Sequence, residues 1–194
     1  MPFKTLYKRR QNGPVVVPIT WYVEDAKELH WVNDCIQIKR THKLPKEQLR
    51  GMIIRHEAGF MPNARDCNYS IFIAANLTRE MERFVIIKEL MHLYFGPDGG
   101  GCATDTQFVL QNHIQEMFGS SAEIKSMEYT AEKQAFWMAI SVITTEIDRL
   151  NFKDKLEAGE LSINDVAAKL RIPQHTASAL LSSQFDHEIS NLLS

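Results

Sequence analysis

The sequence predicts an α+β domain, and three observations lead there. Between Cys35 and Ala74, strand-like segments follow one another with no helical pattern between them. After Asn76 the apolar period changes from two to that of a helix and stays helical to the C-terminus. The first of these later helices carries Lys88-Glu89-Leu90-Met91-His92, which sets three ionisable side chains within one turn.

The strands are read as follows. Cys35 to Lys39 alternates apolar and polar residues, and Gly51-Met52-Ile53-Ile54-Arg55 is apolar and β-branched. Asn68 to Ala74 sets Tyr69, Ile71 and Ile73 on one face. Turns are expected at Leu44-Pro45 and Met61-Pro62-Asn63, giving a small three-stranded sheet, antiparallel or mixed. Ahead of it, Ile19, Val23, Ala26, Leu29 and Trp31 favour one face of a short helix.

The helix after the sheet has Asn76 or Thr78 as its cap and Glu80 and Glu82 at its positive end. Phe84, Ile87, Met91 and Phe95 recur at helical spacing until Gly96-Pro97 stops the pattern. Residues 104–118 and 128–151 are also predicted helical, the second with a stripe of Ala135, Met138, Ala139, Val142 and Ile143. Two short helical patterns, Ser162 to Leu170 and Gln174 to Ser182, close the chain and meet at Arg171-Ile172-Pro173. The expected organisation is a polar, basic and poorly ordered segment 1–15, an α+β domain 16–150, and a helical tail 151–194 packed on that domain.

Composition narrows the function classes. With 194 residues and 44% apolar content, the chain can bury one good core. The longest apolar run, Ala135 to Ile140, is too short to span a bilayer, and the N-terminus lacks the layout of a secretory signal. Cys35, Cys67 and Cys102 are odd in number and scattered, against a disulfide framework or zinc ribbon and in favour of a reducing, cytoplasmic setting. Net charge is −2, with +10 and −5 in residues 1–50 and +7 and −13 in residues 101–194. A basic face of Lys8, Arg9, Arg10, Lys39 and Arg40 is one reading of that asymmetry, and ordinary surface solvation is the other. No basic run interleaved with aromatics points to nucleic acid.

The segment Lys88 to His92 has the spacing of the zinc-peptidase motif His-Glu-x-x-His, with lysine at the first ligand position. In that motif two histidines four apart grip Zn²⁺ from one helix face, and the glutamate polarises a metal-bound water. Reading outward, Arg83-Phe84-Val85-Ile86-Ile87-Lys88-Glu89-Leu90-Met91-His92 resembles the active-site helix of the ImmA/IrrE-type metallopeptidases, Arg-Phe-Thr-x-Ala-His-Glu-Leu-Gly-His. Arg83, Phe84, Glu89, Leu90 and His92 agree; Val85, Ile87, Lys88 and Met91 depart. A later segment, Glu132 to Ala139, is similar to the family's third-ligand helix at Glu132, Ala135 and Ala139. The tail from Leu161 to Pro173 resembles its C-terminal helical segment. The resemblance is collinear over roughly residues 20–182.

The resemblance implies a zincin-like fold, a three-stranded sheet on an active-site-type helix, and zinc as cofactor. It also implies His92 and Glu132 as ligands and Glu89 as the general base. A catalytic zinc needs three protein ligands, and a protonated lysine cannot be one, so Lys88 argues against catalysis by the family route. Two readings of Lys88 are open. Its ammonium occupies the space of the metal and pairs with Glu132, Glu89 or both, or the side chain snorkels to solvent beside His92.

Other candidates are weaker. His56-Glu57 lacks a second histidine, because Phe60 stands there; His113 and Glu116 form an i, i+3 pair expected on a solvated helix face. Cys102 has no recognisable His/Asn companions, and Gly99-Gly100-Gly101 lacks the lysine of a phosphate loop. Trp21, Trp31 and Trp137 are read as core aromatics. The tail also resembles a helix-turn-helix, but its second helix offers only Gln174, His175 and small residues, so packing is the favoured reading.

Family members act on DNA-binding repressors of mobile elements or stress genes. The resemblance therefore implies a regulatory protein with an impaired zinc site that binds, and in the active case cleaves, a protein or peptide partner such as a repressor. The alternatives are a metal-free interaction module of a toxin–antitoxin or phage system and, behind it, a DNA-binding protein acting through its tail.

Overall fold

The computed structural model describes residues 2–29, 36–44, 50–55, 69–95, 103–104 and 127–194, with the backbone alone described at 29, 103–104 and 127–130. In chain order the described elements are α1 (Pro2–Gln11), α2 (Ile19–Leu29), β1 (Ile36–Thr41), β2 (Gly51–Arg55), β3 (Tyr69–Ala74), α3 (Arg79–Met91), a 3₁₀ turn (His92–Tyr94) and β4 (Ala103–Thr104). Then follow α4 (Met127–Ser141), α5 (Glu146–Glu157), α6 (Ile163–Leu170), α7 (Gln174–Leu180) and α8 (Ser183–Leu193).

The sheet runs β1-β3-β2-β4 and is mixed. β1 lies parallel to β3, β2 antiparallel to β3, and the two-residue β4 parallel to β2. β3 is central because its side chains are apolar on both faces, with Ser70, Ile71, Ile73 and Ala74 all buried. Opposite Ile71 sits Ile53, also buried, which fixes the register: a slip of one residue would turn both to the wrong face.

Helix α3 packs on β2 and β3, between α2 and α4. Thr78 caps it by accepting from the Met81 backbone N–H at 3.2 Å, and Glu80 and Glu82 occupy its first turn. Its sequence shows an apolar stripe, yet from Arg83 to Met91 every residue except Lys88 is buried. That total burial requires close approach to the sheet, and Gly51 permits it. A Cβ at Gly51 would lie 2.3 Å from Val85 Cγ1 and 3.1 Å from both Cγ and Oε1 of Glu89.

Two expectations need correction. Segment 1–15, expected to be poorly ordered, contains α1, with Phe3, Leu6 and Arg10 buried. Its charge composition concealed this because Arg10 is a buried clamp. Arg10 Nε donates to Val142 O at 2.9 Å, and Nη2 donates to Val15 O at 2.8 Å and Ile143 O at 2.9 Å. The guanidinium thereby satisfies carbonyls just past the end of α4, where the helix dipole is negative.

Of the five residues of the candidate basic face, Arg10 is buried in this way and three others have partners. Arg9 pairs with Asp25 and Glu28, Arg40 pairs with Glu82, and Lys39 donates to Ser70. Finally, the helix predicted over 128–151 is two helices, α4 and α5. The β-branched run Val142-Ile143-Thr144-Thr145 interrupts it, and Thr145 caps α5 by accepting from the Asp148 N–H at 3.1 Å.

The tail helices are part of the same packing. Val166, Ala167, Leu170, Ile172, Ala177, Leu180, Phe185 and Ile189 join the core. Arg149 of α5 ties the tail down: it is bidentate to Glu146, reaches Asp186 at 2.8 Å and stacks on the Phe185 ring at 4.5 Å. Trp137 is buried, while Trp21 is half-buried and packs edge-on against Tyr22. Of the helix expected over 104–118, Thr104 lies instead in β4, and residues 105–118, like Trp31, fall outside the described residues. No helix among the described residues is long and apolar enough to cross a membrane.

Gly51→Ala should force β2 and α3 apart. The expected loss is roughly 1–3 kcal/mol, the range for overpacking a tight contact, read as a lower urea midpoint with unchanged slope.

Candidate functional site

Helix periodicity places Lys88 and His92 one turn apart on the face of α3 that meets α4. The two helices are keyed by Phe84, one turn before Lys88, whose ring meets Phe136, one turn after Glu132, edge-on at 5.6 Å. With that register set, Glu132 comes opposite both Lys88 and His92.

Lys88 Nζ lies 2.9 Å from Glu89 Oε1 and is hydrogen-bonded to Glu132 Oε2. The other Glu132 oxygen, Oε1, is 3.1 Å from His92 Nε2, and Glu89 Oε2 stands 3.9 Å from the same nitrogen. Glu89 and His92 are buried at 2% and 5% exposure, whereas the Glu132 side chain is 38% exposed and marks the solvent side. His92 Nδ1 has no hydrogen-bond partner among the described residues, and the ring packs against Phe95.

Lys88 does not snorkel. Its side chain is 17% exposed and its ammonium is bracketed by two carboxylates. Burial by itself would lower the Lys88 pKa, but the charges of Glu89 and Glu132 outweigh it and hold the amine above its ordinary range, firmly protonated. For Glu132, burial pushes upward, and contacts with His92 and Lys88 overcome that to hold the carboxyl well below the usual carboxylate range.

The sequence-predicted residues Lys88, Glu89, His92 and Glu132 thus converge. His56, Glu57, Cys102, His113 and Glu116 lie outside the described residues.

These four side chains do not fit a catalytic zinc. Such a site uses three protein ligands and an open position. Here the described donors corresponding to ligands are His92 and Glu132, and one Glu132 oxygen is taken by an ammonium. Among the described residues, no group of three or more His, Cys, Asp or Glu side chains could hold a metal ion. Chemically, the arrangement is an ionic cluster with one hydrogen bond, Lys88 to Glu132, in which Glu89 faces a fixed positive charge.

Sequence reasoning missed two contributors. Gly51 leaves room for the Glu89 side chain, a close approach invisible without the strand–helix pairing. Asp25 of α2 accepts from Tyr94 OH at 2.8 Å and from Arg9 at 3.0 Å, pinning the 3₁₀ turn that begins with His92. Burial, reinforced by the Asp25 charge, pushes the Tyr94 phenol up, so it stays a donor. No local pattern signals a contact between residues so far apart in sequence.

The model of one family, Peptidase M78 with its IrrE N-terminal-like domain, matches residues 36–189. No curated protein and no solved structure matches the chain.

Tyr94→Phe removes a buried hydrogen bond to a carboxylate while keeping the ring. It should lower stability by roughly 1.5–3 kcal/mol, measured by chemical denaturation.

Proposed function

Because the chain belongs to the IrrE N-terminal-like peptidase family, we propose that it is a regulatory protein that uses this peptidase fold to bind a protein partner, with a zinc site impaired at its first ligand. The observation that carries the reading is the Lys88 ammonium hydrogen-bonded to Glu132, the residue corresponding to the family's third ligand. A protonated amine offers no lone pair to a metal, and its charge repels one.

The proposed partner is a DNA-binding repressor, bound through a peptide segment and left intact; what supports it is the resemblance to family members that act on such repressors. Direct DNA binding by the tail has less support. The residues of α7 that face solvent, Gln174, His175 and Ser178, include no lysine or arginine to meet phosphates. The tail's apolar residues are committed to the core.

Two measurements on the purified protein test this reading: zinc per chain by elemental analysis, and incubation with the repressor encoded nearest its gene. Expected are zinc far below one per chain and a complex from which the repressor is recovered whole. One zinc per chain together with cut repressor would make the protein a working peptidase and overturn the proposal; absence of any complex would remove the repressor as partner.

A further inference from the structure

We infer that the Lys88 ammonium has taken over the cross-linking role of the family's metal: it ties α3 to α4 through Glu89 and Glu132, so the fold needs no zinc, and the single change Lys88→His turns the tie into a metal site. The inference rests on the impaired-zinc part of the reading above and is independent of the partner.

Glu89 is 2% exposed, and its Oε1 and the Oε2 of Glu132 converge on one point, the Lys88 nitrogen. Two ionised carboxylates converging on one point repel, and a cation between them relieves that repulsion without either taking up a proton. Zinc would supply two positive charges there and the ammonium supplies one. That suffices to neutralise the point where they meet: the ammonium is hydrogen-bonded to Glu132 and ion-paired with Glu89 at 2.9 Å.

Glu132 divides its oxygens between positions 88 and 92, one on Lys88 Nζ and one 3.1 Å from His92 Nε2. A carboxylate reaching across to residues i and i+4 of a facing helix is placed as a ligand that shares a metal with them. The backbone frame is therefore retained, with a side chain that carries its own charge instead of holding an ion.

Nothing else among the described residues can do this job. The remaining cation near the site, His92, is charged only if protonated, and its Nε2 stands 3.9 Å from Glu89. Without Lys88, the buried Glu89 carboxylate would keep no ion-pair partner at 3 Å among the described residues. Uncompensated buried charge is strongly destabilising.

The test is thermal unfolding of the full chain, with and without equimolar zinc or excess EDTA, for the wild type, Lys88→Met and Lys88→His. Wild type should melt at the same temperature in all three conditions. Lys88→Met should melt roughly 5–10 °C lower, with no recovery on adding zinc. Lys88→His should melt low in EDTA and recover several degrees with zinc, through RT ln(1 + [Zn]/Kd). Adding Glu132→Gln to Lys88→His should abolish that recovery.

If Lys88→Met cannot be purified folded, the combination Lys88→Met, Glu89→Gln, Glu132→Gln should fold, because the charges needing a cation are gone. A Lys88→Met protein as stable as wild type, or a Lys88→His protein indifferent to zinc, would overturn the inference and leave the impaired-site reading standing. Zinc stabilising the wild type would overturn both.

Discussion

The ion pairing of Lys88 with Glu89 and Glu132 is the constraint around which the helical half of this molecule is arranged. A buried carboxylate such as Glu89 is tolerable only beside a cation. Meeting that need from α3 itself requires Glu132 to be brought across on α4, and His92 to lie close enough to share it. The edge-on contact of Phe84 with Phe136 sets the helix register that makes this possible. Behind the helix, Gly51 lets the sheet approach closely while leaving room for the Glu89 side chain.

Elements distant in sequence then hold this arrangement in place. Arg10 of α1 fastens the carbonyls after α4, and Tyr22 donates to one of the same carbonyls at 2.7 Å. Asp25 of α2 links Arg9 to Tyr94 and so steadies the turn carrying His92. Arg83 of α3 donates to Val17 O at 2.8 Å and fixes the connection between α1 and α2 to α3. The N-terminal region is thus a brace for the site, built largely from arginine–carbonyl and arginine–carboxylate contacts.

This explains what was legible in the sequence and what was not. The strands and the active-site-type helix could be read because period, capping and β-branching are local. The family could be read because Arg83, Phe84, Glu89, His92 and Glu132 keep their order, and the match over residues 36–189 agrees. The N-terminal helix was missed because basic residues are counted as surface by composition, whereas Arg10 is fully buried on carbonyls. The break after Ser141 was missed because Val142 and Ile143 continue an apolar stripe while their backbone has left the helix. Lys88 was readable as a wrong letter in a motif. Its choice between solvent and carboxylates depended on where α4 would place Glu132, which no local pattern encodes.

The most direct measurement is a zinc-edge anomalous difference map from crystals of the wild-type protein soaked in zinc. With the ammonium in the metal's place, the map should be featureless between His92 and Glu132, and Lys88 Nζ should remain on both carboxylates. A fully occupied peak ligated by His92 and Glu132, with the Lys88 side chain swung away, would contradict that arrangement.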